Sequence, residues 1–451
     1  MSIPPGRALS SVEEWLAYQT LQHPQSIDLG LDRVLRVLES LGWRRPELPV
    51  ITVAGTNGKG SVTACCAAIM AAAGLRVGTF TSPHLRDYRE RIRIHDHLVG
   101  ADELVAAFER IEAARGDIGL TFFEFNTLAA LLVFEGAPLD AWVLEIGMGG
   151  RLDAVNVVDP DVAVVVSIGL DHQEYLGTTL DAIAREKAGI FRRGRPAVLG
   201  SLGMPGAIEE VARAVGARLK RLGTEFDYAL EGVGWHFRGS RWTLPNLPAP
   251  GLAGGAQYAN AATALAALEA IDDSLRIPAA AVARGLRDVK LTARFQVIEP
   301  PGPGAPAWIL DVAHNPAAAH VLAENLRSRA ARGRTFAVCG ILADKDALGV
   351  VRELKGCIDA WWCVPTDGQR GRSGYALAQT VRGEAGVPVE AADSIFAGCA
   401  AALTHAGSLD RIVVFGSFHV AGPAIDWLQA NGLLPPGALS EYTSAPGTAH
   451  T

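Results

Sequence analysis

Residues 50–61, VITVAGTNGKGS, hold the densest set of groups that could do chemistry. Val50, Ile51, Thr52 and Val53 read as a short buried strand. A loop with three glycines follows, and Ser61 opens an alanine-rich helical run ending near Ala73. A strand, a glycine-rich loop and a helix N-terminus in this order present backbone N–H groups to a phosphate. Gly55, Gly58 and Gly60 would permit close backbone approach and positive φ. Lys59 would reach the terminal phosphates, and the Ser61 hydroxyl would sit on Mg²⁺. The stretch departs from the general pattern G-x-x-x-x-G-K-[ST], because Val53 stands where the first glycine belongs and Gly60 separates Lys59 from Ser61. A glycine-rich turn without phosphate chemistry therefore stays open on this stretch alone.

Three further polar groups fall at the carboxyl ends of predicted strands. Ser82 follows LRVGTFT (75–81), Glu145 lies at the end of DAWVLEI (140–146), and His172 closes GLDH after the strand 161–168. Open α/β sheets place ligands at that end. Oxygen and nitrogen donors converging beside a phosphate loop are what a nucleotide-bound Mg²⁺ requires. Other charges are ambiguous. Asp28, ahead of the helix 29–41, reads equally well as a helix cap. Glu124, within TFFEFN (121–126), is either a helix-start charge or a polar contact in an apolar pocket. The charged stretch 86–94 reads as a half-exposed strand with a solvated polar face, and Lys187 as an ordinary helix-surface lysine.

The elements that must position these groups alternate. Helices are expected over 11–22, 29–41, 101–115, 127–135, 180–191 and 258–270, and 231–253 reads as turns with short strands. In the second half, strands 307–310, 335–339 and 411–415 each end in a polar cluster and run into a helix, the pattern of a second doubly wound domain. It carries no glycine fingerprint of its own and is expected to close over a nucleotide held by the first. The expectation is an α/β protein with a P-loop-type doubly wound domain over 1–290, a linker over 291–297 and a smaller Rossmann-like domain over 298–437. Residues 300–306 and a tail over 438–451 are expected to be unstructured.

Composition narrows the function. The chain has 451 residues, room for two large or three average domains. A net charge of −7 argues against a nucleic-acid binder. MSIPPGRALSSVEEW has no apolar signal-peptide core, no run is long enough to span a bilayer, and the six cysteines show no zinc spacing. A cytoplasmic protein with buried thiols is expected.

The motifs GTNGKGS, TSPHL with ERI, TFFEF, LEIGMGGRLDAVN, SIGLDHQEYLG, REKAGIF, QYANAATALAAL, ARFQ, DVAHNP, GILADKD and GSFH occur in this order. In them the chain resembles the bifunctional bacterial members of the folylpolyglutamate synthase family, relatives of the Mur ligases, over roughly residues 12–430. The resemblance implies ATP-dependent addition of L-glutamate to dihydropteroate and reduced folates, in a monomer without nucleic-acid or membrane partners. It implies that Asn57, Gly58, Lys59 and Gly60 wrap the ATP phosphates, and that Asn260, Arg294 and Asp311 also contact the nucleotide. Ser61, Ser82, Glu145 and His172 would hold two Mg²⁺ ions, and Lys187 would carry a carbamate. The pterin site would use Ile27, Asp28, Leu29, Thr121, Phe122, Phe123, Glu124, Leu152, Asp153 and Ala154. Glutamate would enter beside His314, Ser417 and His419, and Lys59, Lys187 and His314 would act in catalysis. Two departures stand out: Ala293 precedes Arg294 where glycine is usual, and Gly254-Gly-Ala replaces a proline-containing approach to the Gln257–Asn260 motif. A ligase restricted to one acceptor, or a nucleotide-binding regulator on the same fold, are the alternatives.

Overall fold

The computed structural model describes residues 9–434 except 26, 233, 300, 301, 303 and 369. The expected tail, and part of the 300–306 segment, lie outside the described residues.

Eight strands form the first sheet: Val50–Ala54 (β1), Val77–Phe80 (β2), Ile92–Ile94 (β3), His97–Leu98 (β4), Ala141–Glu145 (β5), Val162–Val165 (β6), Pro196–Leu199 (β7) and Arg218–Arg221 (β8). Their order is β4-β3-β2-β5-β1-β6-β7-β8, parallel except where β3 and β4 turn back at one edge. The side chains of β1 explain its central place. Val50 and Ala54 pack into one core and Ile51 and Val53 into the core on the opposite face, so the strand reads as a continuous apolar run.

Asp227–Glu231 (β9), Gly234–Arg238 (β10) and Thr243–Leu247 (β11) form a separate antiparallel sheet where turns with short strands were expected. The third sheet joins Gln296–Ile298 (β12), Ala307–Leu310 (β13), Thr335–Cys339 (β14), Ala360–Cys363 (β15), Val389–Ala391 (β16) and Arg411–Phe415 (β17). Its order is β12-β13-β17-β14-β15-β16, with only β12 antiparallel. Helices cover both faces of this sheet, so two doubly wound α/β units stand in one chain. Among the described residues no helix is long and apolar enough to cross a membrane.

Three local expectations are corrected. The stretch 86–94 is not a solvated strand face. It forms a short helical turn, Tyr88–Arg91, leading into β3, with Glu90 and Arg91 both buried. Glu90 accepts the backbone N–H groups of Leu85, Arg86 and Asp87 at 2.7–2.8 Å, which repays its burial. Asp28 caps no helix, since Leu31 holds that position without a side-chain bond. Gly60 has ordinary helical backbone; the left-handed φ values fall at Gly58 (85°) and at Gly55 (153°).

The linker between the two units contains residues held in the left-handed region: Ala293 at φ 57° and Phe295 at φ 48°. A Cβ at position 293 is strained by about 1–2 kcal/mol, which a glycine would avoid. Ala293→Gly removes that strain but adds about 0.4–1 kcal/mol of unfolded-chain entropy. Urea denaturation is therefore expected to find Ala293→Gly within about 1 kcal/mol of wild type. The β-branched Ala293→Val is expected to lose about 1–3 kcal/mol.

Candidate active site

The carboxyl ends of the first sheet's central strands open into a cavity of about 330 Å³. Its floor is the phosphate loop. The helix Lys59–Ala72 begins at Gly58 with no side-chain cap, leaving its first N–H groups available to an anion. A Cβ at Gly58 would lie 2.8 Å from Asn260 Oδ1 and from Val166 Cγ1, so glycine is required by space as well as by φ. Lys59 Nζ donates to the carbonyls of Gly55 (3.2 Å) and Thr56 (3.4 Å) of its own loop.

Most of the expected residues line this one cavity: Ile27 to Leu29, Asn57 to Gly60, Ser82, Thr121, Phe123, Glu124, Glu145, Leu152 to Ala154, His172, Lys187, Arg294, His314, Ser417 and His419. Ser61, Phe122, Asn260 and Asp311 do not line it. Ser61 is buried inside the first helical turn. The Phe122 ring turns away to Tyr88 and to the Arg91 guanidinium. Asn260 stands behind Gly58, donating to Gln257 (3.0 Å). Asp311 accepts the N–H groups of Phe295 (2.8 Å) and Ala313 (2.7 Å), which pins the linker to the end of β13.

Lys187 overturns the reading of a surface lysine. It is buried, and its Nζ donates to the Gly55 carbonyl at 2.9 Å. Burial, with Lys59 adding to it, brings its ammonium down to about 7. Burial also lowers Lys59 and takes His172 down to about 4, so the His172 imidazole is neutral at physiological pH. Glu145 is raised by burial, opposed by Lys59 and Arg294.

At the far wall Arg33 joins two carboxylates: Nη1 donates to Asp28 (2.8 Å) and Nε to Glu124 (3.0 Å). Glu124 also accepts the Thr121 N–H (2.8 Å) in a capping box at the start of helix Phe122–Gly136, so it is both a helix-start charge and a pocket group. Asp153, raised to about 6 by burial, accepts from Met148 N and Val155 N. Sequence reasoning missed Arg91, Asp171, Lys345 and Arg370, which line the cavity, and Arg33, which backs its wall through Asp28 and Glu124. For Asp171 and Lys345 the signal was present, inside GLDH and GILADKD, but neither was singled out. Among the described residues no three His, Cys, Asp or Glu side chains are grouped to hold a metal by themselves. Glu145 and His172 fit a divalent ion whose remaining ligands are hydroxyl and phosphate oxygens, the usual manner of Mg²⁺.

Family models for the Mur ligase middle domain and for the Mur ligase glutamate ligase domain match residues 53–199 and 293–418. The dihydrofolate synthase/folylpolyglutamate synthase of Escherichia coli (strain K12) is 42% identical over 94% of this chain and 97% of its own length. The chain belongs to the dihydrofolate synthase/folylpolyglutamate synthase family. The Haemophilus influenzae member is 39% identical over 92% of this chain and 96% of its own length. Among solved structures of this family, E. coli FolC in complex with DHPP and ADP superposes with a TM-score of 0.88 at 42% identity, covering 94% of this chain and 99% of that one. A bifunctional folylpolyglutamate synthase/dihydrofolate synthase with Mn, AMPPNP and L-glutamate bound gives 0.85 at 42% identity, covering 94% and 98%. The nucleotide and metal in those relatives agree with a cavity built on a phosphate loop.

Proposed function

We propose that this chain is an ATP-dependent ligase that joins L-glutamate to 7,8-dihydropteroate, giving dihydrofolate, and adds further glutamates to reduced folates. One observation carries this reading: a single cavity brings together the phosphate loop, the Asp28 and Glu124 carboxylates bridged by Arg33, and the strand ends of the third sheet. The first supplies a triphosphate site, the second a polar wall for a pterin ring, and the third a place for an amino acid to enter. We assign residues 1–290 to nucleotide and pterin binding, 291–297 to the hinge and 298–437 to the closing unit, in a monomeric cytoplasmic enzyme.

The chemistry is amide formation from an unreactive carboxylate. The substrate carboxylate attacks the γ-phosphorus of ATP, ADP leaves, and an acyl phosphate forms. The amino group of L-glutamate then attacks the carbonyl carbon, inorganic phosphate leaves, and the amine loses a proton. A carboxylate and a triphosphate repel each other, so fixed positive charge must face both. Asn57 to Gly60 hold the phosphates, while Lys59 and Arg294 place cations where charge develops. Glu145, His172, Ser82 and Ser61 would hold Mg²⁺, which would supply further neutralisation of phosphate charge. We assign Asn260, on the helix behind Gly58, and Asp311, at the end of β13 against the linker, to the nucleotide side of the site. His314 Nδ1 donates to the Val312 carbonyl (2.8 Å), which leaves Nε2 to take the amine proton beside Asp171 (3.4 Å). Ser417 and His419 face the incoming glutamate. Closure of the second unit keeps water from the acyl phosphate.

Incubation with Mg-ATP, L-glutamate and 7,8-dihydropteroate is expected to yield dihydrofolate by mass, and tetrahydrofolate in its place is expected to gain one glutamate. A product from only one acceptor replaces this reading with a restricted ligase. At the pterin wall, Arg33→Ala leaves Glu124 buried without its cation. It is expected to raise the KM for dihydropteroate about tenfold and to cost about 1–3 kcal/mol of stability, read by steady-state kinetics and urea denaturation.

A further inference from the structure

A buried polar contact between the two units lies outside the roles assigned above. Asp171, in the loop after β6, is nearly buried and is met by three side chains of the second unit. Lys345 Nζ donates to Oδ1 at 2.5 Å, and Asn315 Nδ2 donates to Oδ2 at 3.2 Å. His314 Nε2 faces Oδ2 at 3.4 Å. Lys345 and Asp171 keep only 5% and 9% of their side chains exposed, which removes the solvent screening that weakens surface pairs.

Asp171 is held from its own side as well. Its Oδ1 accepts the His172 N–H at 2.8 Å. The loop is splinted to the phosphate loop through Thr56, whose Oγ1 donates to the Gly169 carbonyl (3.1 Å) and accepts the Gly169 N–H (2.9 Å). Asn315 continues the connection. Its side-chain amide exchanges two 3.1 Å bonds with Asn57 of the phosphate loop, while its Oδ1 caps the helix Pro316–Ser328 through the Ala318 N–H. Lys345 Nζ also stands 3.4 Å from His172 Nε2. One carboxylate thus ties the phosphate loop, the His172 backbone and two loops of the second unit into a single polar network.

We propose that Asp171 is a positioning residue: the clasp that closes the second unit over the phosphate loop and sets His314 for glutamate transfer. The inference rests on the ligase reading, which wild-type turnover tests separately. Asp171 touches no reacting atom. Its loss is felt in the closed state, after nucleotide has bound, because the phosphate loop and Lys59 remain in place.

The experiment compares wild type with Asp171→Asn, Asp171→Ala, Asp171→Lys, Lys345→Asp and the Asp171→Lys/Lys345→Asp exchange. It reads kcat and KM for each substrate, ADP affinity without acceptor, the half-saturating Mg²⁺ concentration and small-angle scattering with ADP. Asp171→Ala is expected to lower kcat about 10–100-fold while ADP affinity and Mg²⁺ half-saturation stay within threefold and the particle becomes more extended. The exchange is expected to recover at least tenfold over Asp171→Lys, which a merely structural carboxylate does not predict. Asp171→Asn keeps the shape of the side chain and carries the same test if the alanine variant fails to fold. A kcat within threefold of wild type overturns the proposal. So does a tenfold rise in required Mg²⁺, or an exchange no better than the single variants.

Discussion

Lys59→Ala is expected to lower glutamate-dependent ADP release by about 10²–10³-fold, the usual cost of deleting one preorganised charge at a transferring group. The Lys59 ammonium rests on the Gly55 and Thr56 carbonyls at 3.2 and 3.4 Å. Those distances describe weak bonds that a phosphate oxygen can replace. Arg294 approaches the same site from the linker, stacked on Phe418 with its guanidinium carbon 5.4 Å from the ring centre. Because Arg294 and bound Mg²⁺ remain in the variant, a residual rate is expected rather than none. The hydrogen bonds of Lys59 stay within its own loop, so the melting temperature is expected to hold. Near-wild-type turnover by a folded Lys59→Ala protein would remove phosphoryl transfer at this loop from the account.

The second large effect is expected at Lys187. Its amine lies between the Gly55 carbonyl and the cavity, and burial brings the ammonium to about 7. The folded value lies below that of an unfolded lysine, so the folded state binds fewer protons between about pH 7 and the ordinary lysine range near 10.5. The contribution of this group to stability accordingly rises with pH across that window and is least favourable below it. The same ionisation governs chemistry. A neutral amine adds CO₂ to give a carbamate and releases one proton, whereas an ammonium does not react. We expect turnover to fall as pH drops through 7 and to fall further in CO₂-depleted buffer, with recovery on adding bicarbonate. Carbon-13 NMR after exposure to labelled bicarbonate is expected to show one protein carbamate, absent from Lys187→Ala. That variant is expected to lose about 10–100-fold in activity, the scale for groups that support a metal site. Bicarbonate-independent turnover with no labelled carbamate would leave Lys187 as a plain buried cation.

Much of this arrangement was legible in the chain. The strand–loop–helix around Lys59 and the strand-end positions of Ser82, Glu145 and His172 follow from apolar runs that stop at polar residues, and the structure opens one cavity at those ends. What was not legible depended on distance or on competing local readings. Asp171 and Lys345 are 174 residues apart, and nothing in either segment announces the other. Arg33 lies five residues after Asp28 at the start of the helix Asp32–Leu41, and nothing in that stretch announces Glu124, 91 residues on, as its partner. Lys187 had a readable signal that its charged neighbours masked: Ile183, Ala184, Lys187 and Ala188 are all buried and fall on one helical face. Glu90 and Arg91 broke the expected polar face of 86–94 because backbone N–H groups and aromatic rings, rather than water, receive their charge.

The most direct test of the central claim is ADP release by the purified protein with Mg-ATP, omitting L-glutamate and 7,8-dihydropteroate in turn. The account predicts sustained turnover only when both are present, with Lys59→Ala as the baseline. ADP release that proceeds without glutamate, or that no pterin acceptor stimulates above that baseline, would contradict it.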